Sequence, residues 1–153
     1  MSQYTRLEKE EEIKEFLEKE RDLYHESINT LQGQAFHALY AYIFWVDRNT
    51  KDKANRITKE AKEVITRSLD DGHLNLIIRS VHGFYYPWMY VYDSQWSKTL
   101  ITKLFPLEKF DLRYSAWITL LHRNLFQEVF DALRERYEEA IKELKKNELK
   151  KGK

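Results

Sequence analysis

Cysteine is absent from all 153 residues, which excludes disulfide frameworks, thiolate zinc sites and cysteine nucleophiles at once. Glycine (4) and proline (2) are scarce, which argues against an all-β chain, since each hairpin there needs turn residues. The longest apolar run, 38–46, falls far short of the roughly 20 residues that cross a bilayer. The opening stretch is charged from Arg6 onward and has no apolar centre, so it does not read as a secretory signal. A surplus of one charge is missing too. Lys plus Arg is 26 against 25 for Asp plus Glu, so no global field draws nucleic acid or an anionic membrane. From these absences we expect one all-α domain over 1–153, cytoplasmic, with no membrane segment and no cofactor.

The sequence motifs of common chemistries are missing as well. There is no G-x-S-x-G, no G-x-x-x-x-G-K-[ST] and no G-x-G-x-x-G, so hydrolysis and nucleotide binding lack their parts. Histidines stand at 25, 37, 73, 82 and 122 without H-x-x-x-H or E-x-x-H spacing. His37 and His82 both fall near a small residue of an amphipathic run. They read as helix-packing residues, and a pocket holding either beside a carboxylate would instead raise an enzyme reading. The acidic run Glu8, Glu10, Glu11, Glu12, Glu15 and Glu18 suits an exposed helix start better than a metal site.

What the chain does have is aromatic side chains, 14% of its residues, concentrated in two runs. The first, 31–47, is LQGQAFHALYAYIFWVD; the second, 77–93, is IIRSVHGFYYPWMYVYD. They overlay without a gap at an offset of 46, which sets Tyr40 on Tyr86 and Asp47 on Asp93. That offset fits the roughly 40–47 residues of a paired-helix HEAT or armadillo unit. The expected fold is therefore a HEAT/armadillo-like helical repeat of about seven helices in antiparallel pairs, with the two aromatic helices as its inner layer.

Cap signals and apolar periodicity place those helices. Thr5 with Glu8 forms a capping box that opens helix one near Arg6, with a buried stripe of Ile13, Phe16, Leu17, Tyr24, Ile28 and Leu31. Gly33 either breaks that helix or admits a close neighbour. Further helices are expected over 30–48, 53–69 and, from an Asn75 cap, through 92 with a kink at Pro87. The last three cover 95–104 after Asp93 or Ser94, 112–122 after Asp111, and from Asn124 with Gln127 to a frayed end beyond Asn147. Leu112-Arg113 resembles Ile78-Arg79 and hints at a third unit.

So many rings (Trp45, Trp88, Trp96 and Trp117 among them) cannot all enter one small core, and buried Tyr and Trp need partners for their polar ends. Most serve as packing between helices. A protein-docking face is the functional reading, with Trp96, Arg79 and Tyr92 as anchors near the edges of the central hairpins. Charge separates along the chain: residues 6–22 sum to −3, and 48–67 sum to +4. The alternative is therefore nucleic-acid binding through Arg48, Lys51, Lys53, Arg56, Lys59 and Lys62 beside stacking rings. Self-association is left open.

The two aromatic runs, with WITLLHRNLFQEVFDALRERYEEAI, resemble the α-helical repeats at the C-terminal end of large prokaryotic anti-phage defence NTPases and sirtuin-like proteins. In those families the repeats sense or bind a partner while an upstream domain does the chemistry. The resemblance implies a sensor or scaffold segment, with no activity of its own to carry over.

Overall fold

The computed structural model describes residues 22–70, 75–123 and 126–151. Most of these residues are helical, with no strand among them. In chain order the helices are α1 (Leu23–Asn29), α2 (Leu31–Asn49), α3 (Lys59–Ser68), α4 (Leu76–Tyr92), α5 (Ser94–Leu104), α6 (Phe110–Leu120), α7 (Gln127–Ala132) and α8 (Arg134–Lys151). A single 3-10 turn, Lys53–Asn55, lies between α2 and α3.

Short polar side chains start most of the helices by taking up their unpaired first amides. Asp22 accepts from the His25 amide, Thr30 from Gly33, Thr58 from Ala61, Asn75 from Ile78 and Asp93 from Trp96. Asn75 and Asp93 are the caps expected from the sequence. Thr30, extended at φ −110° and ψ 146°, ends α1 and opens α2 in one residue. Asp52 holds the Ala54 amide and the Asn55 side chain, which winds 53–55 into the 3-10 turn. The helix expected from residue 53 accordingly starts only after Thr58.

Three other boundaries differ from the sequence reading. Asp111 is not a cap but lies in the first turn of α6, whose N-cap Lys109 makes no side-chain capping bond. Arg113 reaches back to the Pro106 and Leu107 carbonyls, tightening the loop so that the helix begins at Phe110. The expected last helix is two, divided at buried Leu133, and α8 runs past Asn147 to Lys151. The Thr5–Glu8 capping box and the Asn124 cap lie outside the described residues.

Helix α4 is the hub, packing against α1, α2, α5 and α6, and most extensively α6. Two glycines make the closest approaches. A methyl group on Gly83 would stand 2.0 Å from the Ala116 carbonyl oxygen of α6, and one on Gly33 2.0 Å from that of Ser27 in α1. Across the first of these crossings Thr119 donates to the Ser80 carbonyl. Aromatic and branched side chains from Leu23 to Leu133 fill the core, with Tyr40, Tyr86, Phe105 and Leu104 essentially inaccessible. Helix α4 passes through buried Pro87 without ending, and FYYPWMYVY is helix rather than strand.

Exposure corrects the described half of one stripe. Tyr24, Ile28 and Leu31 were expected to be buried, yet they are exposed, Leu31 at 84%, while Leu23 and Ser27 face inward. Tyr24 nonetheless keeps its ring 4.8 Å from that of Phe84, and Ile13, Phe16 and Leu17 of the same stripe lie outside the described residues.

Candidate functional site

Each of the two aromatic helices carries His-x-x-Tyr, His37 to Tyr40 and His82 to Tyr85, and the motifs lie 45 positions apart. That offset, one less than the ring-on-ring overlay suggests, is the one the structure uses. His82 Nδ1 lies 2.6 Å from the Tyr40 hydroxyl and Nε2 lies 2.7 Å from Ser68 Oγ. His37 repeats the pattern, with Nδ1 3.0 Å from the Tyr85 hydroxyl and Nε2 2.8 Å from Ser27 Oγ. Both serines sit on the helix preceding their histidine, Ser27 on α1 and Ser68 on α3.

Proton positions follow from the serines. Ser68 donates to the Ile65 carbonyl and Ser27 to the Tyr24 carbonyl, so each hydroxyl can only accept from its imidazole. Both rings therefore carry hydrogen on Nε2 and accept from tyrosine at Nδ1. Neutral imidazole suits this place. Burial, with the Arg79 charge adding to it, lowers His82 to about 3, and burial lowers His37 as well. The same geometry removes Ser68 as a nucleophile, because the nitrogen facing it already holds a proton and cannot take another. No cluster of three or more His, Asp or Glu within reach of one metal ion occurs among the described residues.

The sequence-chosen docking anchors lie in less open places than expected. Arg79 is not at an edge. It is only 3% exposed and donates from Nη1 to the Lys103 carbonyl at the end of α5. Arg136 donates likewise to the Phe105 carbonyl, and with Arg113 on Pro106 and Leu107 the three guanidinium groups hold the end of α5 and its following loop. A cleft of about 330 Å³ beside them is lined by Arg79, Lys103, Lys109 and Arg136 together with Glu108 and the apolar Leu69 and Leu112. Cations at a helix C-terminus satisfy its open carbonyls, and that structural duty accounts for the three arginines, while Lys103 pairs with Asp70.

Tyr92 and Trp96 are half-buried in a belt of ion pairs. Tyr92 lies beside the Asp47 carboxylate, which pairs with Lys53 and Arg56. Burial would raise the Asp47 carboxyl, but Lys53, Tyr92 and Arg56 together bring it below its usual value. Lys62 pairs with Asp93 and lies 5.8 Å over the Trp96 ring, while Arg56 lies 5.3 Å over Tyr92. The basic segment is thus largely engaged. Of its six cations, Lys53, Arg56 and Lys62 are bound to acids. Lys59 reaches Glu63 only at 4.0 Å, and Arg48 and Lys51 are exposed with no ion pair among the described residues.

The open surface is the outer side of α2. Leu31, Ala35, Ala38, Tyr42, Trp45 and Asn49 follow one another at steps of four and three and are all exposed. Tyr42 and Trp45 are 47% and 56% exposed and stack on each other, centroids 6.3 Å apart. Residues 31–46 contain no Asp, Glu, Lys or Arg, in a chain that is 33% charged. The 4-3 spacing, a heptad seam, is legible in the sequence, but only exposure separates it from the inward apolar face of the same helix.

No family model matches the chain, and neither a curated protein nor a solved structure matches it. Among the described residues no helix is long and apolar enough to cross a membrane.

Proposed function

We propose that this chain is a non-enzymatic helical-repeat module, HEAT- or armadillo-like, that holds a protein partner as a sensor or scaffold segment. Supporting the repeat is the recurrence of one Ser–His–Tyr set in two consecutive helix pairs, α1–α2 and α3–α4. Binding is carried by a single observation: the uncharged, solvent-facing seam Leu31, Ala35, Ala38, Tyr42 and Trp45 on α2. An exposed apolar stripe at heptad spacing fits a partner helix, and Tyr and Trp anchors contribute much of the energy at such faces. This moves the docking anchors from Trp96, Arg79 and Tyr92 to Tyr42 and Trp45.

A photo-crosslinking residue placed at Trp45 of the full chain in cells tests the reading, with Lys59 on α3 as the comparison site. Position 45 is expected to give a protein adduct that Ala38→Glu abolishes, and position 59 to give none. Equal labelling at the two sites, or no adduct at 45, rejects protein docking on this face.

A further inference from the structure

The seam on α2 is graded in size. Its first half is Leu31, Ala35 and Ala38, with two alanines, and its second half carries the two large rings, Tyr42 and Trp45. Facing helices pack well when large side chains oppose small ones across the contact. We infer that the occupant of this face is α2 of a second copy of the chain, laid antiparallel across a two-fold axis. This rests on the docking reading above and names its partner.

Reversing the seam about Ala38 sets Leu31 against Trp45 and Ala38 against Ala38, and brings Ala35 to within one residue of the level of Tyr42. Every large ring then meets a smaller side chain, and the match repeats by symmetry, as an isologous contact requires. A parallel pairing would put Trp45 on Trp45 and Tyr42 on Tyr42 and leave the alanine end gaping. The positions flanking the seam are Gln32, Gln34, Leu39, Ala41, Val46 and Arg48. Only Arg48 is charged, so almost nothing along the contact repels a second copy, and the helix dipoles oppose favourably. A foreign partner would need a complementary gradient, which this helix supplies to itself.

The size of the face sets the strength. Helix α2 has 19 residues, so at about 1.5 Å per residue it is roughly 28 Å long. A strip of that length and about one helix diameter wide falls well short of the ~800 Å² per partner of a standard stable interface. The dimer is therefore reversible, and its population tracks protein concentration.

Sedimentation of the full chain across a concentration series tests this. The wild-type mass is expected to rise from 18.6 kDa toward twice that value. Ala38→Glu is expected to hold the mass at one chain by opposing two carboxylates, and Ala38→Lys to do the same. Mixing A38E with A38K restores the dimer. Because the chain has no cysteine, single introduced thiols report the orientation cleanly. Leu31→Cys and Trp45→Cys cross-link when mixed and not when each is alone. A wild-type chain that stays monomeric throughout overturns the proposal, as does a dimer indifferent to A38E or a thiol pattern of 31 with 31. If the Trp45 photoadduct contains a different protein, self-pairing fails while protein docking stands; if no adduct forms, both fail.

Discussion

Tyr40 and Tyr85 stack with centroids 4.2 Å apart and planes 18° from parallel, and each gives its hydroxyl proton to the histidine three residues before the other. The contact is reciprocal: α2 supplies the tyrosine for His82 of α4, and α4 supplies the tyrosine for His37 of α2. Neither aromatic helix can satisfy its own histidine.

Removing the Tyr40 hydroxyl tests the weight of that exchange. In Tyr40→Phe the buried His82 Nδ1 loses its donor, and an unsatisfied buried acceptor costs about 1–3 kcal/mol. Tyr85→Phe, whose site is only half-buried, is expected to cost less. Urea unfolding of the two variants gives the order, and equal losses would contradict the difference in burial.

Acid should weaken the fold in a defined window. His82 is lowered to about 3, whereas an unfolded histidine titrates near 6.5. Above pH 6.5 the ring is neutral in both states and its contribution is fully present. Below that, the unfolded chain takes a proton that the native chain refuses, so stability falls by about 1.4 kcal/mol per pH unit until the native ring itself titrates. At pH 5 the loss is about 2 kcal/mol from this one group, and His37 adds to it in the same direction. Tyr40, Ser68 and Arg79 surround the ring and supply no carboxylate to offset the charge. His82→Gln should flatten the dependence between pH 6.5 and 5, measured by denaturant midpoints; an unchanged slope assigns it to other groups.

Gly83→Ala should be among the most damaging small substitutions. Its methyl would meet the Ala116 backbone at 2.0 Å, and backbone cannot rotate away as a side chain can. Overpacking of this kind costs about 3 kcal/mol. Thermal unfolding of Gly83→Ala beside an exposed control, Ala41→Gly, reads the effect.

Nucleic acid should bind weakly and with a shallow salt response. Of the six, Arg48, Lys51 and loosely paired Lys59 are open, so binding of duplex DNA through this set should give a log–log slope no steeper than about −2.7. All six basic residues acting together would give roughly −5. Fluorescence anisotropy against salt separates these outcomes, and the steeper slope would revive the phosphate-binding alternative.

Local chemistry was the part of this fold open to sequence reading. Asn75 and Asp93 as caps, the passage through Pro87 and the tight approach at Gly33 each depend on residues a few positions apart or on one residue's own geometry. What escaped depends on distant partners. Ser27 and Ser68 gain meaning only once the helix after each brings a histidine alongside. Arg79 looked like an edge residue because nothing local shows that the Lys103 carbonyl waits for it. Tyr24, Ile28 and Leu31 show a further limit: periodicity finds an apolar face but does not say which surface covers it.

Pro87 has a consequence for assembly. Proline in a helix interior costs roughly 3 kcal/mol and glycine about 1 relative to alanine, and α4 carries both, at Pro87 and Gly83. The most central helix of the fold is therefore poorly disposed to form in isolation. Its helicity rests on packing against α1, α2, α5 and α6, so the organising element of the molecule is itself held in shape by the neighbours it organises.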